Sequence, residues 1–356
     1  MIVKKITLDT PSSWEDWDNY VSVHAEATPH HHSDFLKIIE KSFGHYCFGF
    51  IVYDESENVA GVLPMVQTKS KLFGNYATSI PFFNYGGMVY SSTEAELLLI
   101  NAAEQFAKEN ELSSFQLRQT KPISNTSLSV NEDKSCMLLT LPEEMQKIGE
   151  GNAKKRAKLR SQAQLVRRKA EELNVFVEQK FGGEELLNDY YNVFAKHMRD
   201  LGTPVYAKSF FKTALDVLGE SATLTVFYWD GKPVACGFLI QKGDYMEIPW
   251  ASALREMNKF SVNTHMYWNI LSYARDNQVK TFDFGRSSVD AGTYKFKKQW
   301  GAEPKQCYWY TWVPEGETPP DLSPKNAKFD LAIKVWQKIP VWLTKIIGPP
   351  IVKNLP

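Results

Sequence analysis

The spacing of apolar residues changes twice in the first third of the chain. Trp14, Trp17, Tyr20 and Val21, then Phe35, Leu36, Ile38, Ile39 and Phe43, recur near every 3.6 positions, which predicts two helices within residues 12–43. Ser33-Asp34 supplies a cap for the second. From Cys47 the pattern becomes that of strands. Cys47–Tyr53 and Val59–Gln67 flank a turn at Asp54–Asn58, and an aromatic, glycine-bearing stretch, Ser79–Tyr90, follows. An amphipathic helix, Thr93–Asn110, and a strand, Phe115–Arg118, complete the series.

The second half repeats that order. Leu224–Trp229 and Val234–Ile240 are strands joined by the tight turn Asp230-Gly231-Lys232, and Tyr245–Ser252 is a third. A helix, Asn263–Asn277, and a strand, Lys280–Phe284, close the series, with Gly285 read as the strand's end. Two copies of one α/β unit account for this succession, with Arg118 and Arg286 in equivalent places.

Between the copies lies a basic segment, Gly151–Leu173. Lys154–Glu172 holds eight basic and two acidic residues, while Ala157, Leu159, Ala163, Val166 and Ala170 leave a narrow apolar stripe. This predicts one amphipathic helix with a packed face and a cationic face, suited to phosphate groups or simply solvated. A further helix, Leu186–Leu201, ends at Gly202-Thr203-Pro204 and delivers Tyr206 to a loop. After the proline-rich stretch Pro314–Pro324, the tail Lys325–Pro356 carries six lysines and one aspartate beside Trp336, Trp342, Ile346 and Ile347. Such a segment packs on its own domain or lies on a membrane surface.

Composition narrows the possibilities. In 356 residues the formal net charge is zero, so cationic surface is local and whole-molecule attraction to nucleic acid is not indicated. The four cysteines are far apart, as expected of buried thiols in a reducing compartment. The N-terminus lacks a signal-peptide core, and no run of about 18 apolar residues is present. The expected location is cytoplasmic, at the inner face of the membrane if the tail binds there. His30-His31-His32 cannot all converge on one ion, so no metal site is expected.

Phe282–Gly301 is the stretch hardest to explain as scaffold: a buried strand that ends in Arg286 and Asp290, then Tyr294-Lys295-Phe296-Lys297-Lys298 and Trp300-Gly301. Charges at a strand's end are aimed by the sheet, although an Asp290–Arg286 ion pair beside a solvated lysine face would give the same pattern. Phosphate-loop, dinucleotide, nucleophile-elbow and His-Glu-x-x-His motifs are absent. What remains is chemistry driven by positioning and electrostatics, chiefly transfer of an activated acyl group, in which Lys297 or Arg286 stabilises the developing oxyanion.

The duplicated units, the Lys-Lys-Arg-Ala-Lys-Leu-Arg segment and the closing Tyr-Lys-Phe-Lys-Lys-Gln-Trp-Gly resemble the FemAB family. The resemblance is closest to the FemAB-related proteins associated with exosortase and PEP-CTERM systems, carried also by Leu72-Phe73-Gly74, Ser79–Gly87, Met198–Tyr206, Ile248–Ala251 and the tail at Trp336–Pro340. It implies an α/β (α+β) protein of two tandem GNAT-like acyltransferase domains with mixed sheets, at residues 1–145 and 146–313, followed by a linker and amphipathic segment at 314–356. It also implies transfer of an aminoacyl or acyl group to an amine of a cell-envelope or exopolysaccharide precursor, with no bound cofactor. Lys297 and Phe296 match the family's catalytic Phe-Lys pair, and Arg156 and Arg160 fall in its basic segment. Tyr206, Trp250, Asp283 and Arg286 are the further substrate-binding candidates. The chain lacks both the long helical hairpin of several Fem ligases and the glycine-rich turn that cradles coenzyme A, leaving aminoacyl-tRNA and acyl-CoA open as donors. An acyl-CoA-dependent N-acyltransferase and a non-catalytic glycan or lipid-carrier binding protein are the alternatives.

Overall fold

A computed structural model describes residues 1–71, 73–124, 126–289, 291–319 and 330–355. Asp290, and with it the ion pair expected with Arg286, lies outside the described residues, as do Leu72 and part of the proline-rich stretch. In chain order the first elements are β1 (Ile2–Thr7), α1 (Pro11–Val23), α2 (Ser33–Phe43), β2 (Tyr46–Tyr53), β3 (Val59–Ser70), β4 (Gly74–Thr78), β5 (Val89–Tyr90), α3 (Thr93–Glu109), β6 (Ser114–Gln119) and β7 (Ser129–Asn131). Next come β8 (Lys134–Thr140), α4 (Ala153–Ala163), α5 (Leu165–Glu172), β9 (Val177–Gly182), α6 (Leu187–Leu201), α7 (Lys208–Leu218), β10 (Ala222–Trp229), β11 (Lys232–Lys242) and β12 (Tyr245–Ala253). The chain finishes with α8 (Val262–Asp276), β13 (Thr281–Ser288), α9 (Gly292–Lys298), β14 (Glu303–Gln306), β15 (Tyr308–Trp312), α10 (Asp330–Trp336) and α11 (Val341–Val352).

The chain forms two compact units. The first comprises Met1–Lys134, Gln306–Ser323 and Lys353–Pro356; the second comprises Ser135–Lys305 and Pro324–Val352. The sequence reading placed residues 306–313 in the second domain, whereas β15 hydrogen-bonds β6 and β7 and so belongs to the first sheet. That sheet runs β1-β2-β3-β4-β6-β15-β7, with β5 on β3. Phe48, Leu63, Leu99 and Phe115 fill its core. Gly49 faces Trp17 so closely that an added Cβ would lie 2.6 Å from the indole. Gly49→Ala is therefore expected to cost about 1–3 kcal/mol in denaturant unfolding; an unchanged midpoint would mean that the Trp14–Trp17 pair yields freely.

The second sheet runs β14-β8-β13-β12-β11-β10-β9. The succession β1, α1, α2, β2, β3, β4, α3, β6 in the first unit matches β9, α6, α7, β10, β11, β12, α8, β13 in the second. In each unit only one step of this series is parallel, β4 with β6 and β12 with β13. Both sheets are thus mixed, and the repeated order is that of the duplicated unit.

Two local readings are corrected. The basic segment is two helices, broken at Gln164, with Arg168 donating to the Ser161 carbonyl at the break. The strand at Phe282 does not stop at Gly285 but continues to Ser288, because glycine accepts the positive φ of 76° needed there.

Candidate functional site

The site begins where two parallel strands part. Strands β12 and β13 pair at Tyr245–Thr281, Met246–Phe282 and Glu247–Asp283, and then no further, although β12 runs on to Ala253 and β13 to Ser288. Each strand has a local reason to leave. On β12, the four residues Glu247–Trp250 lie against three on β11, Phe238–Ile240, a bulge that contains Pro249, which has no N–H to give a ladder. On β13, the Asp283 Oδ1 accepts the Gly285 N–H at 2.7 Å, a turn of side chain onto backbone, and Gly285 then bends through positive φ.

The bend presents two carbonyls, and Lys297 occupies them. From α9 its Nζ donates to Gly285 O at 3.0 Å and Arg286 O at 2.9 Å, which leaves one ammonium N–H beyond these two bonds. Lys297 is 8% exposed. Burial pushes its pKa from 10.5 down to about 8; the nearby Asp283 and Cys136 act upward and Arg286 downward. Asp283 is fully buried and its other oxygen accepts the Tyr245 hydroxyl at 2.7 Å. Glu247, the last residue of β12 paired with β13, is also fully buried. Phe296 is half-buried, with its ring against Tyr267 at 5.2 Å and Trp300 at 6.2 Å. A cation held in a place poor in water can stabilise an oxyanion with little reorganisation.

Lys297, Phe296, Asp283 and Arg286 are thus brought together around the β13–α9 connection. Arg156 lies close to the far end of α9. Its Cγ would be 3.2 Å from a Cβ on Gly149, whose N–H bonds the Trp300 carbonyl at 3.1 Å. The guanidinium of Arg156 donates to Gly151 O and that of Arg160 to Gln146 O, while Lys154, Lys155 and Lys158 are exposed on α4. Leu159 and Ala163 form the buried face of α4, so the expected cationic face is presented. Tyr206 and Trp250 fall in a different cluster, an aromatic wall with Phe210, Phe211 and Phe238.

Strand pairing corrects the match between the copies. The last pair in the first unit is Thr78–Gln116 and in the second Glu247–Asp283, so Gln119, not Arg118, corresponds to Arg286. Arg118 stands at the place of Gly285, where it donates to Gln116 and Phe83 O and lies over Trp309. The first unit therefore holds Thr78, Gln116 and Gln119 where the second holds Glu247, Asp283 and Arg286, and the ionisable set exists once. Sequence reasoning missed Glu247 and Tyr245. An acidic residue inside the apolar run Tyr245–Trp250 was the available signal, since a buried charge requires partners. Among the described residues no group of three or more His, Cys, Asp or Glu side chains could hold a metal ion.

Residues 153–298 match the family described as Acetyltransferase (GNAT) domain. No curated protein matches the chain. Among solved structures, FemX shares 15% identity over 88% of this chain and 97% of its own, with a TM-score of 0.64. A tandem GNAT protein from the clavulanic acid biosynthesis pathway shares 11% over 90% and 100%, at 0.53. L-PGS from Bacillus licheniformis shares 12% over 92% and 99%, at 0.51. The fold is that of tandem GNAT proteins, and the family match falls within the second unit.

Proposed function

We propose that this protein moves an aminoacyl or acyl group onto an amine of a cell-envelope or exopolysaccharide precursor, as its FemAB-like features imply. The observation that carries the reading is the buried Lys297 ammonium, held by two carbonyls where β12 and β13 part. As the neutral amine forms its bond to the acyl carbon, the carbonyl oxygen gains charge, and the remaining N–H of Lys297 donates to it. Collapse breaks the bond to the donor's leaving oxygen or sulfur and restores the carbonyl, and the proton lost by the attacking nitrogen ends on that leaving group. Phe296 shapes the wall beside this centre, and Asp283 fixes the carbonyls that fix Lys297. Tyr206 and Trp250 are then structural support for the β12 side, or a more distant part of the acceptor subsite.

Aminoacyl-tRNA is the favoured donor. The connection from β12 to α8, Leu254–Ser261, contains no glycine, so every residue carries a Cβ where a pyrophosphate would need close backbone approach. Meanwhile α4 exposes three lysines beside Arg156 and Arg160. Binding of charged tRNA, uncharged tRNA and acyl-CoA separates the donors. Changing Arg156 and Arg160 together to Ala is expected to weaken charged-tRNA binding roughly tenfold and to make its salt dependence shallower by about two phosphate contacts. Tight acyl-CoA binding with no response to tRNA would overturn this donor and leave the acyl-CoA-dependent alternative.

A further inference from the structure

Helix α11, Val-Trp-Leu-Thr-Lys-Ile-Ile-Gly-Pro-Pro-Ile-Val, has one charged residue in twelve, yet it is not enclosed. Its buried positions are Thr344, Gly348 and Val352, at a strict spacing of four. Gly348 seats this face: a Cβ there would meet the Val205 backbone at 2.9 and 3.0 Å. The opposite face, Trp342, Ile346 and Pro350, is exposed, Trp342 by 65% and Ile346 by 62%. Helix α10 behaves alike: Trp336 is buried while Leu331 and Val335, one turn apart, are exposed by 73% and 53%. A helix apolar on all sides is ordinarily enclosed, and exposed large side chains at helical spacing on two successive helices mark an interaction surface.

Charge selects the occupant. From Asp330 to Val352, α10, α11 and the turn between them contain Lys334, Lys338 and Lys345 against one acidic residue, Asp330, within a chain of zero net charge. Tryptophan, aliphatic side chains and an excess of lysine over acid are the composition that seats an amphipathic segment in the headgroup region of an anionic bilayer. A protein partner is favoured less, because more evenly mixed charge would be expected around such a face. Among the described residues no helix is long and apolar enough to cross a membrane, so the contact is with one leaflet.

We infer that α10 and α11 form a docking surface for an anionic phospholipid leaflet, with Trp342 and Ile346 inserted and the exposed Lys334 and Lys338 at headgroup level. The proposal does not rest on the acyl-transfer reading, because lipid binding is measured without turnover. The test is flotation of the full chain with vesicles of phosphatidylcholine alone and of phosphatidylcholine with phosphatidylglycerol in equal parts. Binding is expected to the anionic vesicles and to weaken with added salt. Changing Trp342 and Ile346 to Ser is expected to lower partitioning at least about tenfold. Because both side chains are exposed, the thermal midpoint should not move. Lys334→Glu with Lys338→Glu should weaken anionic-vesicle binding while leaving the helices seated. Failure of the wild type to float, or flotation unchanged in the serine variant, would overturn the proposal. So would a concentration-dependent dimer in sedimentation that the serine variant abolishes, if no vesicle binding accompanies it, since the face would then serve a second copy of the chain.

Discussion

Lys297→Met is expected to lower turnover by about a hundred- to a thousandfold, the usual scale for loss of one preorganised oxyanion donor. Methionine has a similar stem and fits a place that is 8% exposed, so the variant should remain folded. The loss should fall on kcat more than KM, because the proposed bond to Lys297 is strongest when the carbonyl oxygen is charged. The same residue makes two pH profiles run in opposite directions. Its pKa of about 8 in the folded protein means that activity depending on the ammonium falls as pH rises through that value. The unfolded chain binds that proton up to the ordinary value of 10.5, so between about 8 and 10.5 it holds more protons than the native state. Stability attributable to this group therefore rises with pH across that window. The difference in unfolding free energy between wild type and Lys297→Met isolates the effect. Turnover that persists undiminished above pH 9, or a stability difference independent of pH, would remove the charged lysine from the mechanism.

Much of the scaffold is legible because it is local. The 3.6-residue period gave α1, α2, α3, α6 and α8, and short apolar runs between turns gave β2, β3, β10, β11 and β12 within a few residues. What was hidden depends on partners distant in sequence. Nothing within Tyr308–Trp312 tells a reader that it pairs with Ser114–Gln119. Helix α7 went unread because Phe210, Phe211, Ala214, Leu215 and Leu218 follow a loop whose proline drew attention to the end of the preceding helix. Among the candidates, Lys297 was named for its charge and, with Phe296, through family resemblance, and Asp283 and Arg286 for their places beside the same strand end. Their physical relation was not readable: a glycine taken as a strand's stop is the bend that turns two carbonyls onto Lys297. The mismatch of Arg118 with Arg286 has the same origin, since equivalence in a sheet is set by pairing and not by residue type.

Asp283→Ala is expected to be the most destabilising single change at the site, by about 2–5 kcal/mol. The side chain is fully buried, and its two oxygens accept from Gly285 N–H and the Tyr245 hydroxyl, each at 2.7 Å. Removing it orphans the buried Gly285 N–H at about 1–3 kcal/mol, takes an acceptor from the half-buried Tyr245 hydroxyl, and leaves the Gly285 bend without its local hold. Denaturant unfolding measures this directly; a loss below about 1 kcal/mol would mean that water or a side-chain shift replaces both acceptors. Asp283→Asn separates charge from shape. The amide oxygen can still accept from Gly285, so most of the stability should return, but the negative charge that favours the Lys297 ammonium is gone. The Lys297 titration should then move below 8, and the fall of activity with pH should move with it, while activity at lower pH is retained. If the pH midpoint stays where it is in wild type, the Asp283 charge does not act on Lys297, and the aspartate serves only as an acceptor that shapes the parting of the strands.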